Sequence, residues 1–142
     1  MRHINMLMKR FPYLFILCAS ILFGCGFGKV DPEKAKAVAE KYLADQKNET
    51  YDNIDDYFTP SFNDSEPLAS KIEKLNQIKD VLGPIESFEL SDTKVTERGL
   101  DDPSTVQLTY MVKYAKGTAR QIFIIMNEEG KHKITNQNIV TI

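Results

Sequence analysis

Gly83-Pro84 splits the chain into two hydrophobic periods, and a chain that changes period once must build one layer of helices and one of strands. Upstream, Ala35, Val38, Ala39, Tyr42 and Leu43 recur at helical spacing through about Gln46. Asp31-Pro32 opens that run with a carboxylate able to accept orphan amide hydrogens and a proline where its missing N–H costs nothing. After Glu66-Pro67 a second stripe, Leu68, Ile72, Leu75, Ile78 and Leu82, predicts another helix that Gly83-Pro84 stops. Between them Ile54, Tyr57 and Phe58 read as a short helical turn closed by Pro60, with Phe62 plugging the core.

From Ile85 the apolar residues alternate, as strands with one covered face require. Phe88 and Leu90 open a first strand whose parity slips by Val95, which predicts a bulge. Arg98–Pro103 reads as a turn. Val106, Leu108, Tyr110, Val112 and Tyr114 form a second strand, Lys116-Gly117 turns it, and Ile122, Ile124 and Met126 continue the face on a third. Pairing Ala115 with Ala119 sets Tyr110 opposite Ile124 and leaves Thr109, Met111, Phe123 and Ile125 on the reverse face. Glu129-Gly130 leads into a last strand from Lys131 to about Val140, on which the face of Ile134 is open. The fold class is therefore α+β: three N-terminal helices packed on a four-stranded antiparallel sheet.

Residues 1–10 carry Arg2, Lys9 and Arg10 without an acid, and Phe11–Phe23 is an apolar run. As a helix that run spans only ~20 Å, short of a ~30 Å hydrocarbon core, so it reads as a secretory leader rather than a membrane span. It ends in Leu22-Phe23-Gly24-Cys25, which resembles the bacterial lipobox: an aliphatic residue three before the cysteine and a small one next to it. The resemblance implies a leader of residues 1–24 cut before Cys25 and diacylglycerol on its thiol. It places the protein in the cell envelope, in the outer membrane if the envelope is Gram-negative, with the membrane as partner through lipid on Cys25. Gly26–Val30 reads as a tether, and residues 31–142 as one domain.

Without the leader, Lys+Arg falls from 18 to 15 against 20 Asp+Glu, a net charge of −5 with no basic run, which argues against nucleic acid as a partner. Cys18 and Cys25 are the only cysteines, so residues 26–142 have no disulfide framework.

Helices first and a four-stranded sheet after look like the NTF2-like, or cystatin-like cone, architecture. Ala37–Leu43, Asp55–Phe62, Leu82–Phe88 and Glu129–Ile134 carry the likeness, with His132 where such envelope proteins often have tryptophan. The fold hosts enzymes, binding modules and dimerisation domains, so the resemblance implies architecture and not activity.

His132 is the only histidine beyond the leader, so a metal or general-base site there would need carboxylates alone to complete it; it reads instead as a sheet residue. Asp52, Asp55 and Asp56 lack the alternate-ligand spacing and glycine of a calcium loop. No phosphate loop, nucleophile elbow or lipid-free cysteine is present, so the sequence offers no catalytic residue, cofactor or metal. Tyr42, Tyr57, Tyr110 and Tyr114 are candidates to line a pocket between helices and sheet. Met111, Phe123 and Ile125 are candidates for a partner face, on which a homodimer or an envelope protein would dock. The leading expectation is a lipid-anchored, non-enzymatic interaction module; small-molecule binding in the helix-to-sheet cavity, and a hydrolase or isomerase of unassigned substrate, stand as alternatives.

Overall fold

Asp31 opens α1 (Pro32–Asn48) as expected, its carboxylate accepting from the amides of Glu33 and Lys34. A computed structural model describes residues 28–97 and 104–142; the leader, Cys25 and the Arg98–Pro103 turn lie outside the described residues. Ala35, Ala39, Tyr42 and Leu43 of α1 are fully buried against the sheet, where the two alanines let the helix backbone approach closely. Glu49 takes the left-handed conformation that ends the helix, and its N–H returns to the carbonyls of Asp45 and Gln46.

A 3-10 turn (Ile54–Tyr57) buries Ile54. Pro60 then opens α2 (Pro60–Ser65) instead of merely closing the turn: Thr59 caps it, and proline suits a first helical position. Phe62 stacks on Phe58 at 4.8 Å and is half-buried. Helix α3 (Leu68–Leu82) follows, and Gly83 stops it with φ 80 and ψ −173, backbone that only glycine adopts without strain. A Cβ there would meet the Ala115 Cβ at 3.0 Å, because the end of α3 is stitched to a hairpin: Lys116 donates to the Leu82 carbonyl and Ala115 to that of Pro84.

Strands β1 (Ile85–Thr96), β2 (Thr105–Tyr114), β3 (Gly117–Glu128) and β4 (Lys131–Thr141) form one antiparallel sheet in sequence order. The slip in β1 is present as irregularities at Ile85/Ser87 and Leu90/Asp92. The β2–β3 register corrects the sequence-based pairing. Tyr114 pairs with Gly117 around a two-residue turn, not Ala115 with Ala119, so Tyr110 faces Gln121, Leu108 faces Phe123 and Val106 faces Ile125. The sum of paired residue numbers changes by an odd step, and an odd step turns every side chain of β3 over. The inner set is therefore Ala119, Gln121, Phe123 and Ile125, all fully buried, while Ile122 and Ile124 lie on the outer face, half-buried. Met126 is buried as well, next to a register shift at Ile124/Ile125. Ile134 points inward, opposite Ile125.

The N-terminal approach to α1 departs from the expected free tether. Gly28 bridges Asn127, the Asn127 amide donates to the Lys29 carbonyl, and the Val30 N–H donates to Ser104 Oγ at 2.9 Å. The Asp31 N–H donates to His132 Nε2 at 2.9 Å. A Cβ at Gly28 would come within 2.6 Å of the Asn127 amide nitrogen, so a larger residue there would make that side chain shift. Among the described residues no helix is long and apolar enough to cross a membrane.

Candidate functional site

A groove of about 470 Å³ lies between α3 and β4. Its walls follow from the two periodicities. Leu75, Ile78 and Leu82 recur on one stripe of α3 with Val81 beside them, and Gln137, Ile139 and Thr141 alternate on the inner face of β4. Tyr42 closes the floor from α1. Its volume lies within the usual range of small-molecule sites, about 300–1,000 Å³. A neighbouring cleft at Gln46, Leu75, Gly83 and Tyr114 holds only about 20 Å³, room for a water molecule.

The floor is polar but uncharged. Tyr42 OH donates to Gln137 Oε1 at 3.1 Å, and Gln137 Nε2 donates to Gln121 Oε1 at 3.3 Å. Gln121 and Gln46 exchange amide hydrogen bonds at 2.9 and 3.1 Å, and Gln121 also donates to Tyr114 OH at 3.0 Å. The side chain of Gln121 thereby meets all four of its hydrogen-bonding needs, which is what makes its complete burial tolerable. Gln137 spends one amide hydrogen and keeps the second. Burial holds the Tyr42 hydroxyl far above the ordinary tyrosine range, so it stays a neutral donor at any physiological pH.

Charge sits at one end of the groove. Lys71, 2% exposed, directs its three hydrogens to Asp55 Oδ1 (2.7 Å), Asn63 Oδ1 (2.8 Å) and the Glu66 carbonyl (2.7 Å). Its ammonium also lies over the Phe58 and Phe62 rings at 4.9 and 5.4 Å. With every donor used, Lys71 ties the start of α3 to the 3-10 turn and α2, and has no proton left with which to meet a ligand. Lys74 pairs with Glu66 at 2.6 Å on the rim.

The four candidate tyrosines are not brought to one pocket. Only Tyr42 lines the groove. Tyr57 lies on the other side of α1, donating to Asp45 Oδ2 at 2.5 Å, and burial together with that carboxylate pushes its hydroxyl up to about 12. Tyr110 sits at the sheet centre with its hydroxyl toward Glu40, and Tyr114 accepts from Gln121. Of the candidate partner face, Met111 is on the outer side, half-buried; Phe123 and Ile125 are core residues on the inner side, displaced there by the register. Asp55 binds Lys71 rather than joining Asp52 and Asp56. His132 serves as an acceptor for the backbone that enters α1; burial lowers its pKa and keeps Nε2 unprotonated for that bond.

Residues that the sequence analysis passed over are Lys71, Gln46, Gln121 and Gln137. A signal for Gln46 was available, since it occupies a position where the helical period of α1 calls for an apolar side chain; Gln121 gave none, because the sequence-based register sets it on the reverse face. Lys71 gave none, because a lysine between Ser70 and Ile72 reads as solvated until the folded chain surrounds it. Compared with protein-family models the chain finds no match, and compared with curated proteins it finds none either.

Proposed function

We propose that the protein is a lipid-anchored envelope protein, held by Cys25, with an NTF2-like cone whose α3–β4 groove binds a small ligand without transforming it. The observation that carries this reading is the groove's lining: an apolar wall of Leu75, Ile78, Val81, Leu82 and Ile139 above a neutral hydrogen-bonding floor of Tyr42 and Gln137. Such a site suits a molecule with an apolar body and an uncharged head carrying both a donor and an acceptor. A charged head would lose its hydration there without gaining a counter-ion, because Lys71 is already committed.

A protein partner on the outer sheet face is the weaker reading. Ile122, Ile124 and Met111 are half-buried there among Arg120, Lys113, Asn136 and Asn138, and Phe123 and Ile125 have left that face for the core.

A photoreactive amino acid in place of Val81, which is 70% exposed at the groove's edge, tests the proposal in intact cells. The expected result after irradiation is a covalent adduct of small-molecule mass, reduced when Ile78→Trp fills the groove. An adduct of protein mass, or none, contradicts the binding reading.

A further inference from the structure

A second groove, about 440 Å³, runs between α1 and the start of β4, and four lysines line it: Lys34 and Lys41 one heptad apart on α1, with Lys131 and Lys133 flanking His132. Asp56 is its only acid, and the Asp56 carbonyl accepts from Lys133. Glu128 and Glu129 stand on the neighbouring turn and are not part of the lining. In a chain whose residues 25–142 carry a net charge of −5, this is a local reversal of sign.

The entering backbone leads to the same place. Gly28 is fixed on Asn127, and Asp31 on His132, between Lys131 and Lys133. Two residues, Gly26 and Phe27, separate Gly28 from Cys25, so the lipid attaches within ~10 Å of the docked backbone. A domain tied so closely has little freedom to turn. We infer that the Lys34, Lys41, Lys131 and Lys133 groove rests on anionic phospholipid headgroups and fixes how the domain stands on its membrane. This rests on the lipid anchor proposed above. The groove between α3 and β4 draws on β4 from Gln137 to Thr141, five to nine residues beyond His132, and thus lies ~16–30 Å farther along the strand, clear of the lipid and open to the aqueous compartment.

The test uses the full chain purified from its own envelope, with the intact mass reporting lipid on Cys25, reconstituted in vesicles of phosphatidylcholine with or without phosphatidylglycerol. Lysines are labelled with a membrane-impermeant amine reagent and read by peptide mass. Expected is a loss of labelling of about threefold or more at Lys34 and Lys131 in the anionic vesicles, reversed by high salt. Lys94 and Lys113 on the outer sheet face serve as controls and stay unchanged. Equal labelling in both vesicles, with lipid present on Cys25, overturns the headgroup contact and leaves the anchor standing; an unlipidated Cys25 overturns both.

Discussion

Helices α1 and α3 both carry an apolar stripe, yet the structure uses them differently. Four residues of α1, Ala35, Ala39, Tyr42 and Leu43, are wholly buried on the sheet, whereas α3 buries only Lys71 and Leu75 and leaves Val81 70% exposed. One helix is held along its face, the other at its ends: by Lys71 at the start, and by Gly83, Pro84 and the β2–β3 turn at the finish. Between those ends α3 buries only Leu75, which leaves a gap beneath the rest of the stripe, and that gap is the groove. Amphipathicity alone therefore does not say whether a helix completes a core or walls a binding site; how close its backbone can come does, and α1 has alanines where α3 has leucine and isoleucine.

The largest effect that would break this contrast comes from α1. Leu43→Ala removes a fully buried side chain from the main core and is expected to cost about 3–4 kcal/mol, lowering the midpoint of global unfolding by denaturant. At the far end of α3, Gly83→Ala is expected to cost about 2 kcal/mol, from the φ of 80 and the Ala115 contact. Lys71→Met at the near end is expected to cost about 1–2 kcal/mol, below the usual figure for a broken buried pair because Asp55 is 37% exposed and rehydrates. Both α3-end variants should speed amide exchange in α3 more than in β2 or β3, unlike Leu43→Ala, which should speed it throughout.

Acid should act on the other side of α1. Burial lowers the folded-state pKa of His132 below the ordinary 6.5, so the folded state binds fewer protons than the unfolded one. Stability from this residue is complete above about pH 6.5 and falls as pH drops from there toward the folded value. Thermal melts between pH 8 and pH 5 should show the loss, and His132→Gln, which keeps an acceptor for the Asp31 N–H, should flatten it over that window. The smallest stability effect belongs to the groove: Ile78→Ala is expected to cost under about 1 kcal/mol, because the side chain is only partly covered, while weakening ligand capture strongly.

What the sequence made legible follows the same division. The two periods and the Asp31-Pro32 and Gly83-Pro84 punctuation located α1, α3 and all four strands, because those signals are local. The β2–β3 register was not local: whether Ala115 and Lys116 form the whole turn depends on Leu82 and Pro84 accepting from it, contacts made by a segment more than thirty residues upstream. With the register went the faces of Phe123 and Ile125, and with them the proposed partner surface. The tyrosine pocket was misjudged for a related reason. Their spacing placed Tyr42, Tyr110 and Tyr114 inward, which they are, but inward on a sheet covered by α1 means core, and only Tyr42 reaches the opening beneath α3.

Amide hydrogen exchange of the full chain, read by residue along both helices, tests most directly whether α3 is a separable wall. Amides of Ile72–Lys79 are expected to exchange about a hundredfold faster than those of Ala39–Gln46, through an opening that leaves the sheet intact. Exchange of the two helices at the same rate, through the same global unfolding, would contradict the account, since α3 would then belong to the core and the groove beneath it would be a packing defect.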